Sequence, residues 1–452
     1  MIDGIRTERV NWVLLASMGL VGFLLRLACT TGLIGSDDLV YSKYAQEIAN
    51  FRYVPESIHY ALRYGLTIPT ASVYRLLGVH EWTTIVVPLL FSAASVPLLM
   101  ILGARLVGTR SGLLAGALLA SFSVSLFYAT ILVPEPVAGF YILLALLFYT
   151  ETDLRQPLLF GFLAGLVLGG SYVTKESAAF VAVAVFLDAA LRRKWLVALG
   201  LGAGAFVIVA AEHTYYLVAT GDLLYRFHAM KIHEATPMVL VVNQNLKYRL
   251  LKSYPRLMLF PNMRFGLHSI FTLLATLGLL KWRPPRVQLL ILWAVVPWLY
   301  LNFGSSSLTH YTALPVADRY LEFCYAPLFL LAGAVLDHWM TEHKWTNRPI
   351  VASLALVAAV GLWCGYTSRQ QGWLTSDIAI LRRIAADASQ KHLARVQFVA
   401  DPDKRWQQSM AILAPRLRVV SERSEADLVI GPDALGLPSA VSVSNAVEGP
   451  AK

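Results

Sequence analysis

Two adjacent carboxylates, Asp37 and Asp38, stand in Gly35-Ser36-Asp37-Asp38-Leu39-Val40-Tyr41, directly after the first long apolar segment. A transmembrane helix would leave the bilayer there. The pair also opens an amphipathic stretch, with Val40, Tyr41, Tyr44, Ala45 and Ile48 at helical spacing. Such a carboxylate can take a proton from a hydroxyl, bind a metal, or cap a helix. Capping occupies one side chain, Ser36 or Asp37, and leaves an acid over. Asp37 and Asp38 are therefore the candidate catalytic groups.

A charge at mid-membrane costs about 2.5–3.5 kcal/mol, so each polar residue in apolar surroundings needs a reason. Asp188 has Arg192 four residues on as an ion-pair partner, and Arg26 can snorkel to the surface. His59 and Arg63 are also four apart, with Tyr60 and Tyr64 beside them, which makes either a phosphate clamp or a headgroup-facing surface. Glu135 lies between Pro134 and Pro136, whose rings fix the direction of the turn. Lys175 and Glu176 form a corner suited to interfacial anchoring or to a lipid phosphate. Arg319 offers another cation, and Glu212 with His213 calls for a buried partner. Asp38 and Glu135 together could supply oxygen ligands to Mg²⁺ or Mn²⁺.

These residues sit in a chain of 452 residues that is 57% hydrophobic and 15% charged, too apolar for a soluble globular protein. Apolar runs of about 17–25 residues explain the balance, and about eleven can be placed. They fall at 11–33, 83–102, 111–131, 137–150, 158–173, 177–191, 195–219, 266–281, 287–303, 320–337 and 349–366. The first helix is expected to be retained, since Arg26 spoils a cleavage site at Cys29. The three cysteines are far apart and give neither metal spacing nor a disulfide framework. The net charge of +10 comes with no nucleic-acid motif; it suits anionic lipid or phosphate-bearing substrates.

The short loops set the orientation. A cytoplasmic N-terminus puts Arg105, Arg110, Arg155, Arg192, Arg193, Lys194 and Arg286 inside. Loops 34–81 and 220–264, the C-terminus and every candidate above except Asp188 then lie at the extracytoplasmic side. The expected architecture is an all-α polytopic membrane domain over 1–366, with amphipathic loop helices. A small extracytoplasmic α/β domain follows over 367–435, where strand-like runs at Val396–Ala400, Leu417–Val420 and Asp427–Ile430 alternate with helices, and 436–452 forms a flexible tail.

Taken in order, these motifs resemble the C-type membrane glycosyltransferases (GT-C), specifically glycosyltransferase family 39. That family includes protein O-mannosyltransferases and lipid A aminoarabinose transferases. The matching features are Asp37-Asp38, the loop carrying His59 and Arg63, the Pro134-Glu135 turn, Thr174-Lys175-Glu176, Thr220-Gly221-Asp222 and Arg319-Tyr320-Leu321. The first loop departs from the aminoarabinose transferases in lacking a clear Lys-Pro element, which leaves the acceptor open. The resemblance implies a polyprenyl-phosphate-linked sugar donor, transfer outside a bacterial-type inner membrane, and a first-loop carboxylate acting on the acceptor. The acceptor would be an envelope lipid, glycan or protein. Asp37 or Asp38 would be the general base. His59, Arg63, Tyr64, Lys175, Glu176 and Arg319 would bind substrate. The alternative is a multi-span lipid or solute transporter or flippase coupled through Glu212 and His213, although no internal repeat is visible. A non-catalytic assembly subunit would leave the acids idle.

Overall fold

A computed structural model of the chain describes residues 12–234, 246–262, 264–281, 286–305, 311, 313–314, 316–342, 347–370, 375–399, 401 and 405–430. The expected flexible tail, 436–452, and the middle of the second long loop lie outside these residues.

Among the described residues, the first four-fifths of the chain is built from helices. In order come α1 (Trp12–Ala28), α2 (Asp37–Ala49), α3 (Tyr64–Leu77), α4 (Glu81–Leu106), α5 (Thr109–Ala120), α6 (Ser123–Tyr128), α7 (Glu135–Glu151), α8 (Pro157–Thr174), α9 (Ala179–Leu191) and α10 (Trp195–Thr220). There follow α11 (Tyr225–Glu234), α12 (Leu246–Leu251), α13 (Tyr254–Leu259), α14 (His268–Lys281), α15 (Val287–Phe303), α16 (Glu322–Glu342) and α17 (Asn347–Gln370).

Spanning about 30 Å of hydrocarbon takes about 20 helical residues at 1.5 Å each. Among the described residues, four helical stretches are long and apolar enough: Glu81–Leu106, Pro157–Thr174, Trp195–Thr220 and Asp318–Glu342. Trp12–Ala28, His268–Leu279, Val287–Phe303 and Ala352–Ser368 are shorter apolar helices. The protein is thus an all-α polytopic membrane protein, but the structure does not establish eleven full spans. The run 111–131 shows one reason. It breaks at Ser121-Phe122 into α5 and α6, and the Ser121 hydroxyl bonds back to the Ala117 carbonyl at 2.9 Å.

Close packing of α8 on α10 sets the level of later residues. Gly161 and Gly165 on α8 leave room for the backbone of Val197 and Leu201, and Gly200 and Gly204 do the same for α8. Small residues every four positions on both helices allow this approach. The two helices run parallel, so the same register brings the end of α8, at Lys175-Glu176, level with Glu212 on α10. The main apolar core joins Leu99, Phe122, Trp293, Tyr325 and Phe329, all buried.

Arg26 departs from expectation. It does not snorkel but is fully buried. Its guanidinium donates to Ser92 Oγ at 2.7 Å, Ser125 Oγ at 3.0 Å and the Gly22 carbonyl at 3.0 Å. Those partners meet the requirement that a buried charge be hydrogen-bonded.

After α17 come α18 (Thr375–Gln390), β1 (Arg395–Phe398), α19 (Arg405–Leu413), β2 (Arg418–Val419) and β3 (Leu428–Ile430). The strands form a parallel sheet in the order β2-β1-β3, pairing Val396 with both Val419 and Leu428. Ile378, Leu381, Val396, Trp406, Met410 and Ile430 fill its own small core.

Candidate active site

Helix ends converge on one polar cluster. Asp37 opens α2, Glu135 opens α7, Lys175 follows α8, and Arg319 lies in a short 3-10 turn, Asp318–Leu321, before α16. The Arg319 guanidinium joins two of the acids. Its Nη2 donates to Asp37 Oδ2 at 2.8 Å and its Nε lies 3.3 Å from Glu135 Oε1. The Tyr60 hydroxyl donates to the other Asp37 oxygen at 3.0 Å.

Glu135 is fully buried, as the flanking prolines at the start of α7 allow, and Lys175 pairs with its Oε1. The Lys175 ammonium also sits 4.0 Å from the centroid of the Tyr320 ring. Burial pushes the Lys175 amine down to about 8; neighbouring Arg319 and Arg63 act in the same direction, and Glu135 opposes them.

A second set of ions abuts the first. Arg63 pairs with Glu176, whose other oxygen accepts from Arg226 Nη1 at 2.6 Å. Arg226, on α11, is buried and grips Glu212 through Nε at 3.1 and 3.0 Å. Its Nη2 donates to the Leu62 carbonyl at 2.8 Å, and its guanidinium stacks 4.8 Å from Tyr172. Sequence reasoning missed Arg226, because nothing distinguishes it within a long basic loop. It also missed Asp318, which accepts from Tyr128 at 2.9 Å and faces Arg264 at 3.5 Å.

The acidic pair divides its work. Asp37 faces the cluster with its side chain one-fifth exposed. Asp38 is buried and accepts three backbone N–H groups, from Ile34 at 2.6 Å, Gly35 at 3.3 Å and Ser36 at 2.6 Å. Burial raises its carboxyl above the usual carboxylate range despite those bonds. Helix capping therefore works differently from the expectation. Ser36 makes no side-chain cap, and Asp38 reaches back to hold the preceding turn.

His59 and Arg63 do not share an α-helical face. His59–Leu62 is a 3-10 turn, and α3 starts only at Tyr64. His59 packs on Tyr60 with ring centroids 3.8 Å apart, while Arg63 turns to Glu176. Tyr64 joins a wall of tyrosines, 3.1 Å from the Tyr53 hydroxyl and edge-on to Tyr215.

The donor set does not fit a divalent ion shared by Asp38 and Glu135. Both Asp38 oxygens serve backbone N–H groups, and Glu135 Oε1 serves Lys175 and Arg319. Glu135 Oε2 alone is buried without a hydrogen-bond partner. Among the described residues no group of three or more His, Cys, Asp or Glu side chains could hold a metal.

The far end of α7 carries the other basic loops. Asp153 draws in Lys194, Arg286 at 2.8 Å and Arg192 at 3.6 Å, while Glu151 pairs with Arg105. Arg192 also lies 3.6 Å from Asp188, as its spacing required. Glu135 and Glu151 bound the same helix, so about 25 Å separates the two ionic clusters.

This arrangement of membrane-length helices is shared with solved structures. The structure of ArnT from Cupriavidus metallidurans in the apo state matches with a TM-score of 0.62 at 17% identity, over 91% of this chain and 86% of that one. The same protein bound to undecaprenyl phosphate matches with a TM-score of 0.63 at 15% identity, over the same 91% and 86%. The oligosaccharyltransferase of Archaeoglobus fulgidus in the apo form matches with a TM-score of 0.55 at 12% identity, over 93% of this chain and 65% of its own. No family model and no curated protein sequence matches the chain.

Proposed function

We propose that this protein is an integral membrane glycosyltransferase that moves a sugar from a polyprenyl-phosphate donor to an extracytoplasmic lipid, glycan or protein. The N-terminus would be cytoplasmic and the ionic cluster would face outward. One observation carries the reading: Asp37, accessible and oriented by Arg319 and Tyr60, stands beside the buried cations of the same cluster. A transferase needs both parts in one place, a base for the incoming hydroxyl and positive charge for the departing phosphate. The fold shared with a protein solved with undecaprenyl phosphate supports the same donor class here.

In this mechanism Asp37 accepts the acceptor proton as its oxygen attacks the anomeric carbon. The sugar–phosphate bond breaks, and its electron pair leaves with the lipid phosphate. Lys175, Arg319 and Arg63 stabilise that charge. In the structure each already faces an acid: Glu135, Asp37 and Glu176. The phosphate therefore competes with those carboxylates for its cations, and Glu135, which two cations share, holds Lys175 in readiness. His59, Tyr64 and the tyrosine wall would line the approach of the sugar and lipid. Asp38 acts through the turn it fixes and not on substrate.

The transporter reading loses support because Glu212, the intramembrane acid it needs, is held by Arg226 and by Tyr216 at 3.2 Å. Purified protein incubated in detergent with a polyprenyl-phosphate sugar and membrane acceptors tests the proposal, since a transporter consumes none of the donor there. EDTA in the same assay tests the Mg²⁺ or Mn²⁺ requirement.

A further inference from the structure

The turn before the acidic pair is held by a distant part of the chain. Residues Thr31–Ser36 have no regular structure, so their backbone groups need partners elsewhere. On one side the Thr31 N–H donates to Thr130 Oγ1 at 2.8 Å and the Gly32 N–H to the Thr130 carbonyl at 3.2 Å. On the other side stands α18. Arg382 donates from Nη2 to the carbonyls of Leu33 at 2.9 Å and Thr31 at 3.2 Å, and from Nε to Glu81 Oε1 at 2.9 Å. That same Glu81 oxygen accepts the Leu33 N–H at 3.1 Å. One arginine and one glutamate thus close a ring around the turn.

The turn's glycines are shaped to this contact. Gly32 and Gly35 have φ of +74° and +73°. A Cβ on Gly32 would lie 2.6 Å from Glu81 Oε1 and 3.0 Å from Arg382 Nη2; one on Gly35 would lie 2.6 Å from Ile378 Cδ1. Leu33 and Leu39 pack with Ile412 of α19. The α/β unit therefore grips the turn by charge, by close approach and by apolar contact. At the far edge of the turn, Asp38 takes up the next three N–H groups, and Asp37 is its neighbour.

We propose that Arg382 is a positioning residue: with Glu81 it clasps the Thr31–Gly35 turn and so sets the direction of Asp37. The proposal rests on Asp37 being the base of the proposed reaction. It gives the C-terminal α/β unit a role in the membrane site. The pair is about one-third exposed, Arg382 at 34% and Glu81 at 32%, so its loss should leave the helical bundle folded.

Hydrogen–deuterium exchange on the full-length protein in detergent tests the clasp without reference to activity. Arg382→Ala should raise exchange in peptides covering Thr31–Leu39 by about tenfold and leave α8 and α10 unchanged. Arg382→Lys should fall between, because an ammonium can meet Glu81 but cannot fork to two carbonyls as well. In the transfer assay Arg382→Ala should lower kcat about tenfold with the donor KM within twofold, and added guanidinium should restore part of the loss. Unchanged exchange in Thr31–Leu39, or exchange raised throughout the bundle, would overturn the proposal. So would raised local exchange with kcat intact. If the wild-type protein transferred no sugar, the glycosyltransferase reading would fail, and the exchange data would still decide whether Arg382 holds the turn.

Discussion

Arg319 Nη2 donates to Asp37 Oδ2 at 2.8 Å across 282 positions of sequence, joining the start of α2 to the turn before α16. The same guanidinium reaches Glu135 at 3.3 Å. A planar fork can serve two acids where an ammonium serves one. Arg319→Lys should therefore cost about tenfold in kcat and Arg319→Ala about a hundredfold or more, with the larger loss reflecting transition-state charge left unmet. Steady-state kinetics on both variants checks this ordering; equal losses would make the charge irrelevant.

The Lys175 amine, lowered to about 8 by burial, gives a pH signature. In the proposed mechanism its charged form is the active one, so activity should fall as pH rises through about 8. Arg stays protonated in proteins, so Lys175→Arg should move that limb upward or abolish it, whatever the loss in rate. A pH profile of kcat for the two proteins reads the difference.

How much of this was legible in sequence depended on the surroundings of each residue. Asp37, Glu135, Lys175 and Arg319 stand out because each interrupts apolar sequence, where a charge must have a purpose. Arg226 was hidden because its surroundings are polar and basic, and only the packing of α11 over α10 reveals its partners. Arg26 was placed wrongly because its side-chain partners lie 66 and 99 residues away, and no local pattern announces Ser92 or Ser125. The strands at 418–419 and 428–430 fall within the runs read as strands, and the strand at 395–398 overlaps the run 396–400 but starts one residue earlier, since short β-branched runs carry their own signal. The count of about eleven spans is not established by the helices, which break inside an apolar run at Ser121-Phe122, because composition continues where the helix does not.

Asp38 should behave as a structural acid. Asp38→Ala strands three backbone N–H groups, and each buried donor left unsatisfied costs about 1–3 kcal/mol. The variant should unfold at clearly lower temperature in detergent, whereas Asp37→Asn should not. Thermal unfolding of the two proteins side by side distinguishes the roles.

Arg226→Ala leaves Glu212 and Glu176 facing one another without their shared cation. Breaking a buried pair from one side costs about 3–5 kcal/mol. Glu212→Gln in the same chain should recover part of that loss. A double-mutant cycle by thermal unfolding measures the coupling, and simple additivity would contradict the bridge.

The most direct test compares wild-type protein with Asp37→Asn in detergent, supplied with a polyprenyl-phosphate sugar and envelope acceptors. The account predicts transfer by the wild type and a loss of about a hundredfold or more in kcat for the variant, at unchanged melting temperature. A folded Asp37→Asn protein that transfers at the wild-type rate would contradict it.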